Sequence, residues 1–475
     1  MIKSPAQRAP SKQGAVPRLP HNKKPPPTHT VRPGGSTRER PRASTWEFDD
    51  TLSALQQEYV ESGEAVTVNF RELVPIPPGG DRATHLIHAY PAKLLANIPL
   101  FFANCSQLSK PGDLILDPFC GTGTVLLEAM LAGRRAAGAD ANPLARLISQ
   151  VKLRPLKHDQ LERAVDAAVN AARQASPTTF SPVVDVERWY SRKTIQALGK
   201  LLTSVNATRD PAIRAFLQVC FSSCVKRASF ADPRLSVPVR LKPERLPEGL
   251  SAPQVRELFA RIAAINAERL SRLGQMLPAM LPSAQIADDA RHLSRSVDDR
   301  AQLIITSPPY TSAQKYIRAS SLSLGWLGLA PGHQLRPLER QNIGREHFAK
   351  NEYRQPPTSI VPVAQAAIDR IWEQNPLRAH IAATYLEEMQ AALAAAVGCL
   401  KPGGKFVLVI GDNTICGEAF STGKYISTLL EASGLTKQLE LVDHIRSRGL
   451  MTKRNKTAGL INQEHIHVFQ LPAGA

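Results

Sequence analysis

The stretch from 111 to 140 restricts the fold most strongly. PGDLILDPF reads as a turn and a buried strand, GTGTVLLEAMLAG as a glycine loop that enters a helix ending at Gly133, and RRAAGAD as a second strand. The order strand, loop, helix, strand is that of a βαβ unit, whose strands are parallel. It predicts an α/β fold with a doubly wound, Rossmann-like sheet.

A second predicted strand, within residues 303–310, ends in a segment with hydroxyl-bearing side chains and two prolines. The apolar run LII at 303–305 is followed directly by TSPPY at 306–310. Two prolines can continue neither a helix nor a strand ladder, so the strand must stop there. The stiff backbone then presents Ser307 and Tyr310 just beyond a strand's carboxyl end, where open α/β sheets bind ligands.

The glycine loop predicts a site for an adenosine-containing ligand. Gly121 and Gly123 let a ligand approach the backbone, and the next helix points its first N–H groups at the same place. Asp140 follows the next strand, where a carboxylate can accept both ribose hydroxyls. No GK[ST] sequence follows the loop, which argues against a phosphate-gripping P-loop. A dinucleotide and S-adenosylmethionine both fit this spacing.

Charge favours a polyanionic partner. The 475 residues carry a formal charge of +18, and residues 1–45 hold ten basic residues and one acidic residue. This proline-rich segment is predicted to be a disordered basic tail, either a nucleic-acid-binding arm or a solubilising one. The rest of the chain is still basic, which favours nucleic acid over a small acidic metabolite.

The chain shows no membrane or metal signature. No apolar stretch approaches the roughly 20 residues that span a bilayer, and MIKSPAQRAP lacks the apolar core of a secretory signal. A cytoplasmic location is therefore expected, with no membrane partner. Six cysteines form no paired CxxC set, so reduced, mostly buried thiols and no metal are expected.

Residues 46–154 are predicted to form the first part of the main domain and residues 281–475 its second part. Between them, residues 155–280 have apolar residues at helical spacing with Arg and Lys interspersed, which predicts a mostly helical insertion. A further segment without a strong pattern, about 330–375, precedes a helix near 381–399. QLELVDHI and EHIHVFQL would complete the sheet.

Three motifs together resemble a known family. DPFCGTGT at 117–124, GADANPLA at 138–145 and TSPPY are similar to motifs of the S-adenosylmethionine-dependent, amino-methylating DNA methyltransferases of the SPPY type. HAYPAK at 88–93 is similar to the segment that precedes the glycine loop in some members. The resemblance covers roughly 85–150, 285–330 and 380–470. It implies S-adenosylmethionine as cofactor and double-stranded DNA as substrate.

The resemblance assigns the catalytic roles to SPPY. The Ser307 hydroxyl and the Pro308 carbonyl would accept the two N–H bonds of an exocyclic amine, which turns the nitrogen lone pair toward the sulfonium methyl group. Pro309 stiffens the turn, and Tyr310 would stack on the base. The base must first leave the duplex, which costs a few kcal/mol, and stacking would return about 1–3 kcal/mol.

Further cofactor contacts are implied by the same resemblance. The methionine end would be lined by Asp117, Phe119, Thr122 and Thr124 and covered by His88, Tyr90 and Pro91. A carboxylate that reaches the adenine amine would be Asp289 or its neighbour Asp288.

The helical insertion is the predicted place for DNA recognition. Its segment VKRASFADPRLSVPVRLKPER at 225–245 is rich in basic residues that could grip phosphates or read guanine edges: Arg227, Arg234, Arg240, Lys242 and Arg245. A solvated loop between helices is the alternative. The segment ERQNIGREHFAKNEYR at 339–354 is a rival reader.

The sequence favours methylation of cytosine N4 in DNA, as the protective partner of a restriction endonuclease. In the family that it resembles, serine before PPY goes mainly with cytosine N4, and Asp or Asn with adenine N6. Many cytosine-N4 members, however, carry the catalytic motif before the cofactor loop. The alternatives are adenine-N6 methylation of DNA, guanine-N2 methylation of RNA and nucleic-acid binding without catalysis.

Overall fold

The structure is a computed structural model, and it describes most of the chain after the predicted tail. The described residues are 45–76, 82–91, 93–178, 185–278, 284–295, 297, 299–311, 316–331, 334–445 and 461–474. Apart from residue 45, the predicted disordered tail lies outside them.

Eight strands form one sheet in the order β1-β9-β10-β6-β5-β2-β3-β4, and β7 and β8 form a separate hairpin. Neighbouring strands of the sheet run parallel except at β10, which is antiparallel to both β9 and β6. The strands are β1 (Val66–Val68), β2 (Leu114–Asp117), β3 (Arg135–Ala139), β4 (Gln285–Ala287), β5 (Ala301–Thr306), β6 (Leu400–Ile410), β7 (Asn413–Ile415), β8 (Glu418–Phe420), β9 (Thr436–His444) and β10 (Gln463–Gln470).

Helices cover the sheet. They are α1 (Thr45–Ser62), α2 (Phe70–Leu73), α3 (Asn97–Asn104), α4 (Thr124–Leu131), α5 (Pro143–Lys152), α6 (His158–Gln174), α7 (Val186–Trp189), α8 (Arg192–Asn206), α9 (Pro211–Arg227), α10 (Ala252–Met276), α11 (Tyr316–Trp326), α12 (Arg336–Gln341), α13 (Gln365–Gln374), α14 (Pro376–Gly398) and α15 (Thr422–Ala432). The predicted α/β, doubly wound, Rossmann-like sheet is confirmed.

Both faces of the sheet are buried, which explains why its central strands are continuous apolar runs. Side chains of a strand alternate between faces. In β2, Ile115 packs into the cluster that holds the helical insertion, whereas Leu116 packs into the cluster that holds α13 to α15. Leu303 and Ile304 of β5 divide in the same way.

The insertion shares its core with the sheet. Helices α6 to α10 occupy most of residues 158–276, and Leu161, Leu198 and Phe216 belong to the same apolar cluster as Ile115. The segment therefore packs on one face of the sheet instead of forming a separate core.

Some sequence expectations differ from the structure in detail. The expected helical entry before the glycine loop is helical only in α3, and VTVNFREL is a strand only over Val66–Val68 before α2 begins. VTVNFREL changes from strand to helix because the Asn69 side chain accepts the N–H of Arg71 and so starts α2. The segment at 330–375 contains α12 and α13, although its sequence showed no strong pattern.

The sheet order creates one switch point. After β2 the chain adds β3 and then β4 on one side, and it later places β5 on the other side of β2. Connections from β2 and β5 therefore leave in opposite directions, and a crevice opens beyond their carboxyl ends. The glycine loop and TSPPY begin at these two ends.

Two further findings concern the whole described chain. Among the described residues, no helix is both long enough and apolar enough to cross a membrane. All six cysteines carry free thiols, and five of them are buried.

Candidate active site

The glycine loop is shaped by two glycines with different roles. Gly123 has a φ of 73° and directly precedes α4, and a Cβ atom there would lie 2.3 Å from the Ser149 hydroxyl on α5. Gly121 has a φ of 50°, and a Cβ atom there would meet nothing within 4 Å. Gly123 thus serves close packing of the loop on α5, whereas Gly121 faces open space.

Asp140 holds the loop from the neighbouring strand. Its carboxylate accepts the N–H of Gly121 at 3.1 Å and the N–H of Asn142 at 2.7 Å. Burial raises the pKa of Asp140 to about 6, although these backbone hydrogen bonds favour the charged form. Each carboxylate oxygen uses one lone pair in this way and keeps a second one.

Asp117 joins the ends of β2 and β5. Its carboxylate accepts the Thr306 hydroxyl at 2.7 Å and the N–H of Phe119 at 3.0 Å. Burial raises the pKa of Asp117 to about 7. The residue before Ser307 is therefore bonded directly to the residue that begins DPFCGTGT.

The Tyr310 hydroxyl is held between the side chains of Ser307 and Glu464. It donates to Glu464 of β10 at 3.1 Å and lies 3.5 Å from the Ser307 hydroxyl. A Cβ atom at Gly411 would lie 2.7 Å from the Ile461 Cγ2 atom and 3.2 Å from the Tyr310 Cε2 atom, so glycine there lets Ile461 and the Tyr310 ring pack closely on the backbone. Burial, followed by the nearby charge of Glu464, raises the pKa of Tyr310, so the phenol stays neutral.

One cavity, with about 880 Å³ of empty space, joins the two strand ends. This volume includes open solvent at the mouth of the cavity. Ten of the sequence-predicted residues line it: Tyr90, Asp117, Phe119, Gly121, Thr122, Thr124, Asp140, Asp289, Ser307 and Pro309. Predicted residues that are not part of its lining are His88, Pro91, Gly123, Asp288, Pro308 and Tyr310.

His88 and Tyr90 point to different partners. The His88 Nε2 atom lies 2.9 Å from the Ser222 hydroxyl in the helical insertion, and burial lowers the pKa of His88 to about 4. The Tyr90 hydroxyl instead accepts the side-chain amide of Asn142 at 2.9 Å and faces the cavity. The HAYPAK segment therefore connects the cavity to the insertion through alternate residues.

Asp289 lines the cavity, and its negative charge is partly compensated by Arg291. Arg291 donates to both carboxylate oxygens, at 2.9 and 2.8 Å. Burial alone would raise the pKa of Asp289, but the hydrogen bonds from Arg291 outweigh it and lower the pKa. Asp289 is thus the member of the Asp288/Asp289 pair that faces the cavity.

Several residues of the site escaped the sequence analysis. Lys93 lines the cavity, donates to the carbonyls of His85 and His88 at 3.1 and 2.6 Å, and has a pKa that burial lowers to about 8. Asn142 could have been recognised as the N-cap before Pro143 at the start of α5. Glu464 lies in a late strand that carries no motif.

The glycine loop and Asp140 offer polar groups to a ligand in the cavity. The Thr122 hydroxyl is buried in the loop without a hydrogen-bond partner in the described part of the chain. A buried hydroxyl of this kind costs free energy unless a ligand or water satisfies it. Together with the free lone pairs of Asp140, it offers polar contacts to a ligand that also needs the open space at Gly121.

The predicted DNA-binding residues lie apart from the cavity lining. Arg234 donates to Asp232 at 2.6 Å, and Arg240 donates to the Arg188 carbonyl at 2.8 Å. Arg227, Lys242 and Arg245 are exposed at the end of α9 and in the connection to α10.

A separate polar cluster links β9 to β10: Glu440 and Lys437 lie on β9, and His465 and His467 lie on β10. Glu440 lies 3.7 Å from a ring nitrogen of His465 and 3.5 Å from one of His467, and Lys437 donates to it at 3.1 Å. Hydrogen bonding to His465, then to His467, holds the pKa of Glu440 well below its usual range. Lys437 already supplies a positive charge to this carboxylate.

Comparison with known proteins places the glycine loop in a methyltransferase context. Residues 103–150 match the family model N6_N4_Mtase, described as DNA methylase. The Type II methyltransferase M.MvaI of Kocuria varians is 23% identical over 402 residues, which cover 79% of this chain and 87% of that protein. These matches support the resemblance to amino-methylating DNA methyltransferases, and with it S-adenosylmethionine as methyl donor.

Two other similarities are more limited, the first in length and the second in sequence identity and TM-score. A tRNA (guanine(10)-N2)-dimethyltransferase of Methanothermobacter thermautotrophicus is 49% identical over 51 residues, which are 11% of this chain and 15% of that protein. Among solved structures, the rRNA methyltransferase aviRa from Streptomyces viridochromogenes aligns with a TM-score of 0.31 at 11% identity, covering 85% of this chain and 96% of that one.

The loop geometry predicts unequal costs for two glycine substitutions. Gly123→Ala should lower the free energy of unfolding by about 2–5 kcal/mol, from left-handed backbone strain of roughly 1–2 kcal/mol plus overpacking against Ser149 of roughly 1–3 kcal/mol. Gly434→Ala is the matched control, because its φ is 89° and nothing lies within 4 Å of its Cβ position. It should show the strain alone. Equal losses for the two variants in urea denaturation would contradict the assigned packing.

Proposed function

We propose that this protein transfers a methyl group from S-adenosylmethionine to the N4 amine of cytosine in double-stranded DNA. One observation carries the proposal: the same cavity is lined by Gly121 and Asp140 of the cofactor motifs and by Ser307 of the SPPY motif. A methyl donor and an acceptor amine must meet within contact distance for direct transfer, because positioning supplies much of the rate.

The donor side would be held by residues of the glycine loop and its neighbours. Asp140 accepts the ribose hydroxyls, Asp289 accepts the adenine amine, and Tyr90 covers the ligand. The methionine end contacts Asp117, Phe119, Thr122 and Thr124. When bound, S-adenosylmethionine supplies an electrophilic methyl group on a positively charged sulfur.

The acceptor side would be built by SPPY. The Ser307 hydroxyl and the Pro308 carbonyl accept the two N–H bonds of the cytosine amine and so orient its lone pair. Tyr310 stacks on the flipped base, and its bond to Glu464 and its contact with Gly411 hold the ring in place before DNA arrives. Such preorganisation lowers the entropy lost on binding.

Cytosine N4 is favoured over adenine N6 by the motif's first residue. Serine at 307 is the residue that goes mainly with cytosine N4 in the family that the motifs resemble. The similarity to M.MvaI, a Type II methyltransferase, supports a protective role beside a restriction endonuclease that cuts the same site. The basic segment at 225–245 and the tail would contribute the attraction to DNA.

Methylation of guanine N2 in RNA is a second candidate. The 49% identity with the archaeal tRNA enzyme is the observation that favours it, over 51 residues. That enzyme's name specifies a guanine amine, which is also an exocyclic amino group and needs the same orientation of its lone pair.

The direct experiment is expression in a host that lacks DNA methylation, followed by modification-sensitive sequencing. N4-methylcytosine at one defined sequence is the expected result. N6-methyladenine, or unmodified DNA together with N2-methylguanine in RNA, would contradict the proposal and favour the respective rival. Ser307→Ala serves as the inactive control, which separates modification by this protein from that of the host.

The stacking role of Tyr310 gives a second prediction. Tyr310→Ala should reduce kcat/KM for DNA by about 5- to 150-fold, corresponding to the roughly 1–3 kcal/mol of one base–aromatic stack, and leave the Kd for S-adenosylmethionine nearly unchanged. Tyr310→Phe keeps the ring and loses only the hydroxyl contacts with Glu464 and Ser307, so its loss of kcat/KM should be much smaller. A similar loss of cofactor affinity in Tyr310→Ala would argue against stacking on the base.

The pKa of Asp140 predicts a pH dependence of cofactor binding. Because the pKa of this carboxyl is about 6, lowering the pH through that value protonates it and removes an acceptor for ribose hydroxyls. Affinity measured by calorimetry between pH 5 and pH 8 should therefore fall on the acid side. Burial, with a contribution from the nearby charge of Asp140, raises the pKa of Asp117 to about 7, so the two carboxyls interact. Asp140→Asn should bind more weakly than the wild type above pH 6, approach it on the acid side and lose the step near pH 6; persistence of that step would assign it to another group.

A further inference from the structure

A closed hairpin loop, residues 232–239, connects α9 to the segment that leads to α10. Its sequence is DPRLSVPV. Ala231 and Arg240 pair in an antiparallel bridge, and the N–H of Asp232 donates to the Val239 carbonyl at 2.8 Å. The loop therefore has a fixed base and projects its central residues.

Local bonds hold the tip of the 232–239 loop. The Asp232 carboxylate accepts the backbone N–H of Arg234 at 3.0 Å and its guanidinium at 2.6 Å. The Lys226 amine donates to the carbonyls of Leu235 and Ser236. Pro233 and Pro238 fix the backbone further. A loop with so many internal constraints presents its side chains in one arrangement.

The loop exposes apolar side chains between cations, Leu235 at its tip and Val239 at its base. Leu235 is 44% exposed and Val239 is 49% exposed. The segment 226–245 carries six basic residues and two acidic ones. Hydrogen bonds from Arg234 lower the pKa of Asp232 to about 2, so this carboxylate is charged and pairs with Arg234. Outside this pair the segment holds five basic residues and one acidic residue. An exposed apolar side chain surrounded by cations is complementary to duplex DNA, in which a charged phosphate backbone encloses stacked bases.

The 232–239 loop emerges at the cavity end of the molecule. The hydroxyls of Ser222 on α9 and Ser323 on α11 lie 2.9 Å apart, and the rings of Phe221 and Trp326 pack at 6.1 Å. Pro211 and Ala212 at the start of α9 line the same surface cavity as Val151 and Leu153 at the end of α5. Because α5 begins next to Asn142, beside Asp140, α9 runs antiparallel to α5 and toward the cavity.

Following α9 and α11 from the contact between Ser222 and Ser323 leads toward the cavity. Helix α11 begins at Tyr316, which lines the cavity, and Ser320 one turn later accepts the amide of Asn142 beside Asp140. Helix α9 extends about 7 Å past Ser222 in the same direction, at 1.5 Å per residue, and ends at Arg227. The loop follows this end.

Resting on the proposed function, we propose that the 232–239 loop is a DNA wedge, in which Leu235 enters the base stack. Arg227, Lys242 and Arg245 hold the flanking phosphates. Proteins that deform DNA use apolar side chains, leucine among them, between base steps, and phosphate contacts fix the position without reading sequence. Opening the stack near the target would assist removal of the base from the duplex.

The test compares Leu235→Ala with Ile265→Ala, an exposed apolar side chain on α10 that is 49% accessible. Binding to unmethylated plasmid DNA is measured over a salt series, and plasmid unwinding is read as the change in linking number after topoisomerase relaxation with protein bound. Leu235→Ala should weaken binding about tenfold and reduce unwinding, with an unchanged salt slope because no charge is removed. Ile265→Ala should match the wild type.

Lys242→Ala gives the complementary result. Loss of one phosphate contact should lower the magnitude of the salt slope by about one and leave unwinding intact. If Leu235→Ala binds and unwinds DNA like the wild type while the wild type methylates the same plasmid, the wedge is overturned and the proposed function stands. A wild-type protein that neither binds nor methylates plasmid DNA would overturn both.

Discussion

The hydrogen bond from Thr306 to Asp117 fixes the relation between the two halves of the site. Both side chains are almost fully buried, at 0% and 3% exposure, and the bond spans 2.7 Å. Breaking it would leave buried polar groups unsatisfied, at a cost of about 1–3 kcal/mol. Because Ser307 follows one partner and the glycine loop follows the other, this contact sets the distance between donor pocket and acceptor pocket.

The surrounding packing serves this arrangement from both sides of the sheet. On one face, Gly123 lets the loop seat against α5, and Asn142 links Asp140 to Tyr90 and Ser320. On the other side of Ser307, Glu464 of β10 accepts a hydrogen bond from the Tyr310 hydroxyl. The helical insertion shares a core with the sheet, so a nucleic-acid contact on its surface would be held at a fixed position relative to the cavity.

Sequence reasoning located the cavity lining where the residues directly follow strands. The glycine loop, Asp140 and Ser307 each follow a strand directly, so strand order alone brings them to one edge. It missed Lys93 and Glu464, because their roles depend on contacts between segments distant in the chain. His88 shows the same limit: its motif placed it over the cofactor, whereas the fold turns its ring toward Ser222, 134 residues away.

The central claim is that donor and acceptor share the cavity between β2 and β5. The most direct measurement is an experimental structure of the protein with S-adenosylhomocysteine and the DNA duplex that it modifies. The account predicts the donor's sulfur beside the glycine loop and a flipped base stacked on the Tyr310 ring, its amine bound to Ser307 and directed at that sulfur. A donor bound elsewhere, or a sulfur too distant from the Ser307 hydroxyl to reach a base there, would contradict it.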